Sequence, residues 1–112
     1  MRTWPITDNE GRVTAFEVSM IRIGLREIER LIRAIPGVSE VSRRPLFTSP
    51  SDVHLTFSYR GIACVVWEPF GDNSRYWIGP KEATDRAAEV STLETVFRDY
   101  KPSVLKRIGL AK

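Results

Sequence analysis

The chain holds a single cysteine, Cys64, and a single histidine, His54, the two residue types from which a thiolate–imidazole nucleophile is assembled. Such a pair needs both side chains within hydrogen-bond reach on one side of the fold. Each lies in a segment that alternates apolar and polar residues, Val53-His54-Leu55-Thr56-Phe57-Ser58-Tyr59 and Ile62-Ala63-Cys64-Val65-Val66-Trp67-Glu68. With Arg60-Gly61 as a two-residue turn, Tyr59 faces Ile62, Phe57 faces Cys64 and Leu55 faces Val66 on one side of a hairpin. Ser58 then meets Ala63, Thr56 meets Val65 and His54 meets Trp67 on the other. This register sends the thiol into the core and the imidazole outward, so the two do not meet. Carboxylates are scattered, with no pair placed for acid–base work. The sequence contains no Gly-x-Ser-x-Gly, no glycine-rich phosphate loop and no His/Cys cluster with metal spacing. It points to a non-catalytic protein without cofactor or metal.

Aromatic and cationic residues offer other chemistry. If Glu68 pairs with Arg75 across the turn at 69–74, Tyr76 comes beside Trp67. His54, Trp67 and Tyr76 then form a row over three strands on the side away from the helices. Such a row stacks on bases or sugars, packs against a partner or a second copy, or only supports its cross-strand neighbours. The loop 44–52 carries two prolines and Ser/Thr/Asp residues, which suit irregular structure, yet also the apolar Leu46 and Phe47. Those two either plug the core or meet a partner.

At 100° per residue, the stretch from Ser19 to Gly37 gathers Ile21, Leu25, Ile28, Leu31, Ile32 and Ile35 in one sector. Arg22, Arg26, Arg30 and Arg33 gather on the far side, within an arc of roughly 80°. Glu29 can pair with Arg33 at i,i+4. This arginine face is either a solvated surface or a contact for carboxylates or phosphates. Charge is unevenly spread: residues 1–44 carry +2, residues 45–97 carry −3 and residues 98–112 carry +4, for a net +3. The tail adds Lys106 and Arg107 to the candidate anion contacts.

These residues must be positioned by a small set of elements. Residues 3–18 read as a hairpin around Thr7-Asp8-Asn9-Glu10-Gly11. A helix beginning between Ser19 and Gly24 ends at Pro36-Gly37, and a short strand follows over Val38–Arg44. The 53–59 and 62–68 hairpin is followed by a strand at Arg75–Ile78, stopped by Gly79-Pro80. Ser91-Thr92-Leu93-Glu94 has capping-box spacing and opens a helix with Val90, Leu93, Val96, Phe97 and Tyr100 as its stripe, ended by Pro102. The order β-β-α-β-β-β-β-α predicts an α+β two-layer sandwich, a mainly antiparallel sheet with helices packed on one face.

With 112 residues, a single core is expected: one domain over 1–102 and a basic amphipathic tail over 103–112. In that tail Val104, Leu105 and Ile108 share a side and are expected to dock on a protein surface. No apolar run reaches membrane-spanning length, and one cysteine permits no intrachain disulfide, so a cytoplasmic protein is expected. The reading is a small interaction or regulatory domain that binds a protein partner or forms a homodimer. The alternative is a nucleic-acid-binding module that uses the arginine face and the tail.

Overall fold

The computed structural model describes residues 1–19, 23–43, 53–68, 74–82 and 89–101. They form an α+β fold of six strands and two helices. The strands are β1 (Thr3–Thr7), β2 (Val13–Ser19), β3 (Val38–Arg43), β4 (Val53–Tyr59), β5 (Ile62–Trp67) and β6 (Arg75–Pro80). The helices are α1 (Leu25–Arg33) between β2 and β3, and α2 (Ser91–Asp99) after β6. The strands make one antiparallel sheet in the order β1-β2-β6-β5-β4-β3. The first hairpin and the β3–β6 meander are thus separate in sequence and joined where β2 meets β6.

Alternation assigns the two faces. Phe16 and Val18 of β2, Ile78 of β6, Cys64 and Val66 of β5, and Leu55, Phe57 and Tyr59 of β4 all point to one side. There they are buried in one cluster with Ile28 and Ile32 of α1 and Leu93 and Phe97 of α2. Both helices therefore cover the same face. The β4–β5 register agrees with the expected pairs from Leu55↔Val66 to Tyr59↔Ile62. Its turn has Arg60 at φ 51° and Gly61 at φ 83°, the doubly positive pattern that matches strand twist and that glycine adopts without strain.

The elements depart from the sequence reading at several ends. β2 runs through Ser19, and α1 starts only at Leu25 with Gly24 as its N-cap. Helix α2 has Val90 as N-cap, without a side-chain capping bond. The expected capping box does not form because both of its residues are engaged differently. The Ser91 amide donates to Glu89 Oε1 at 2.5 Å. Glu94 turns inward, 3% exposed, where it accepts a bond from Thr3 Oγ1 of β1 and lies 3.6 Å from Arg98.

Strand β6 continues through Gly79 to Pro80 instead of stopping at Ile78. The β2–β6 pairing ends at Phe16↔Ile78 while β5 pairs on to Pro80. The proline's missing N–H therefore removes nothing from the β2 side.

Both sheet edges are blunted. Pro5 sits in edge strand β1. Edge strand β3 carries a bulge between Ser39 and Ser42, where Glu40 adopts φ 55°. Such devices discourage strand addition.

Candidate functional site

Among the described residues no helix packs on the sheet face opposite α1 and α2, and this helix-free face carries a row of aromatic residues composed differently from the one expected. Across the sheet, Trp4 of β1 lies opposite Glu17 of β2, Glu17 opposite Trp77 of β6, Trp77 opposite Trp67 of β5, and Trp67 opposite Val53 of β4. The chain has three tryptophans, and this one row holds all of them. Each is half-buried. The neighbouring row has small residues at its centre: Ile6 opposite Ala15, Thr56 opposite Val65 and Val65 opposite Gly79, with Ala15 close against Gly79 just past the last β2–β6 pair. Ala15 and Val65 are only 3% and 7% exposed although neither described helix covers them, whereas Ile6 at the edge is 40% exposed.

Gly79 shows why the centre must be small. A β-carbon there would sit 2.7 Å from the Ala15 β-carbon and 2.9 Å from Trp77 Cη2. The Trp77 indole therefore leans forward along its own strand over a gap that glycine leaves. Its ring meets Trp67 edge-on, with centroids 6.1 Å apart and planes at 69°. At the β1 end, the Arg75 guanidinium lies 3.6 Å from the centroid of the Trp4 ring, and that of Arg2 lies 5.0 Å from it. Arg75 also donates to Glu17 Oε1 at 3.0 Å. The row is thus a preformed apolar band, Trp77 against Trp67 and Trp4 under guanidinium, with its charges gathered at one end.

Comparison of the chain with family models, with curated proteins and with solved structures finds no match. The site must be read from its own chemistry.

The expected row of His54, Trp67 and Tyr76 is corrected. Trp67 does lie on the helix-free face, but β5 pairs with β6 as Trp67↔Trp77 instead of Glu68 with Arg75. That one-residue shift turns Tyr76 to the helix side, beside Val18 and against the core. A bulge between Val53 and Leu55 also puts Val53, not His54, opposite Trp67. The imidazole Nε2 of His54 instead meets Glu68 Oε1 at 2.8 Å, and its ring meets Tyr76 edge-on with centroids 5.8 Å apart. Burial, and then the Glu68 charge, push the Tyr76 phenol above its ordinary range.

His54 and Cys64 are kept apart by distance, not by facing opposite ways. The imidazole sits at Glu68, four residues or about 13 Å along the chain from Cys64, whose side chain is buried. Among the described residues no group of three or more His, Cys, Asp or Glu side chains comes together to hold a metal.

On α1, Arg26, Arg30 and Arg33 are exposed, as expected, but two are engaged by acids. Glu29 accepts bonds from Arg33 at 2.9 Å and from Arg43 of β3. Glu27 lies 3.7 Å from Arg30 and accepts a bond from the Tyr100 hydroxyl just beyond α2. The Arg43 bond, followed by that of Arg33, holds the Glu29 carboxyl below its ordinary range. Arg30 and Arg33 are thus paired within α1, and the glutamates that hold them also tie α1 to Arg43 of β3 and to Tyr100 after α2. Leu46, Phe47, Arg22, Lys106 and Arg107, with the rest of the 103–112 tail, lie outside the described residues.

A shallow recess of about 350 Å³ lies beside the hairpin end of β4 and β5, lined by Glu40, Thr56, Ser58, Ala63 and Lys81 among others. It is open and mixed in charge.

Sequence reasoning missed Trp4, Trp77, Arg2, Glu17 and Arg75. Trp77 and Gly79, two apart in one strand, were the available signal: a large ring next to a residue without a side chain on the same face. Trp4 could be placed only once the sheet order was known.

Proposed function

We propose that this chain is a small non-catalytic binding domain that meets a protein partner through its helix-free sheet face. The observation that carries this reading is the single transverse row of Trp4, Trp77 and Trp67 on that face. Tryptophan and arginine are enriched where proteins meet, and a half-buried aromatic band with a charged end has the composition of such a contact. Blunted edges favour the face over strand addition as the contact. Stacking on bases is less well served: Trp4 is already covered by Arg75, and Trp67 and Trp77 present an edge-to-face pair in place of a flat platform. The α1 arginines remain the basis of a nucleic-acid reading, weakened by the carboxylates of Glu27 and Glu29 among them. A cytoplasmic setting belongs to the proposal and is supported by the single, buried cysteine.

The test uses the purified chain against a random-peptide display library and, separately, an oligo(dT) strand. Peptides whose binding falls about tenfold, near 1.4 kcal/mol, in Trp67→Ala but not in Arg26→Glu support the reading. Peptide binding indifferent to Trp67, or oligo(dT) binding that falls steeply with salt and is lost in Arg26→Glu, overturns it. Sedimentation velocity over a concentration series shows whether a second copy is itself the partner.

A further inference from the structure

Two guanidinium groups share one indole at the β1 end of the tryptophan row, and the one carboxylate beside them pairs with Arg75 alone. Arg75 and Arg2 lie 3.6 and 5.0 Å from the Trp4 centroid. Glu17 takes Arg75 at 3.0 Å. Arg2 is exposed and has no acidic partner among the described residues. Like charges gathered around one ring repel each other, and a second anion between them removes that cost. Among the described residues the other end of the row, Trp77 and Trp67 beside Val65, carries no charge. The face is therefore cationic at one end and apolar at the other.

We propose that the occupant of this face is an acidic–apolar peptide segment of a partner protein. Its carboxylate bridges Arg2 and Arg75, and a large apolar side chain lies along Trp77 and Trp67. The inference rests on the reading of this face as a protein contact and adds the partner's chemistry to it. Carboxylates suit the forked donors of arginine, and arginine stacked on an aromatic ring is held in place for such a bond.

The sheet also sets the spacing. From β1 to the boundary of β6 and β5 is two to three strand intervals, about 12 Å at ~4.8 Å each. An extended peptide crossing the strands covers that in roughly three to four residues at ~3.3 Å each. The acid and the apolar anchor are thus three or four positions apart in the partner.

The experiment is a binding titration of the whole chain against synthetic peptides in which Glu, Gln or Lys stands three or four residues before a Leu-Phe pair. The Glu peptides bind about tenfold more tightly than the Gln peptides, with Lys weaker still. In Arg2→Glu, an exposed change that leaves the fold intact, the order of Glu and Lys reverses. Equal binding of Glu and Gln peptides, with Trp67→Ala still abolishing it, overturns the acidic partner and leaves the face as a contact. Binding untouched by Trp67→Ala overturns both. Displacement of the Glu peptides by oligo(dT), with loss in Arg2→Gln, assigns the cationic end to nucleic acid instead.

Discussion

Gly79 illustrates how one missing β-carbon shapes the candidate face. Its place between Ala15 and Trp77 leaves 2.7 and 2.9 Å for any side chain, well inside contact distance. Gly79→Ala is expected to destabilise by about 1–3 kcal/mol through overpacking, read from urea unfolding, and to move the tryptophan emission as Trp77 is displaced. Ala15→Gly in the same chain restores part of the loss, because it removes the shorter contact. Glu29 acts at the same scale through charge. Arg43 and Arg33 hold its carboxyl below the ordinary value of 4.5, so its contribution to stability is present above that pH and fades as pH falls through the lowered value. Glu29→Gln therefore costs stability at pH 7, and the gap to the parent protein closes in unfolding curves taken progressively below pH 4.5.

At the scale of elements, the two hairpins of the meander show what patterning can and cannot fix. The β4–β5 register was legible because a two-residue turn leaves one alignment open, and Arg60-Gly61 has the chemistry for it. The β5–β6 register was not legible. The connection 68–74 is long, and the alternation of Arg75-Tyr76-Trp77-Ile78 permits either face, so a one-residue difference exchanged Tyr76 for Trp77. The bulge at Val53–Leu55 left no mark in the alternation either. α1 was legible through its sorted faces, except for its start. The α2 capping box was a false signal, since Glu94 found a better partner in Thr3 on a strand some ninety positions earlier. The β4–β5 register makes a direct prediction. Phe57, 3% exposed, points into the core, and Thr56 points out. Phe57→Asp is expected to cost more than about 3 kcal/mol by burying an unpaired carboxylate, while Thr56→Asp stays near 0.5 kcal/mol. Thermal scans of the two variants check this, and equal melting temperatures contradict the assigned faces.

Across the whole molecule, the sheet divides one chain into two unlike surfaces. One face is committed to the core by α1 and α2. The other keeps all three indoles near water, as its position in a single antiparallel layer allows. Because every tryptophan lies on that surface, intrinsic fluorescence reports on it almost alone. An occupant that covers the row shifts the emission to shorter wavelength, whereas a ligand on the α1 arginines leaves it unchanged. Sequence patterning placed Trp67 on the face away from the helices, but named His54 and Tyr76 beside it where the structure has Val53 and Trp77. The composition of that face depended on which strands are neighbours, a long-range property that local alternation does not contain.

The join between β2 and β6 bears on how the chain reaches this structure. Phe16↔Ile78 and Val18↔Tyr76 unite residues some sixty positions apart, whereas β4–β5 contacts close within a few residues of the Arg60-Gly61 turn. Loop-closure entropy makes the distant pairing the costlier step, so the meander is expected to form first and the amino-terminal hairpin to arrive as a preassembled flap. In refolding kinetics, Val66→Ala on β5 then slows folding, while Val18→Ala on β2 chiefly speeds unfolding. During synthesis the amino-terminal strands, made first, wait for residues near 78 before they gain their permanent neighbour. Over that interval Phe16 and Val18 are exposed apolar surface, so the first hairpin is the segment on which early misassociation is expected to fall.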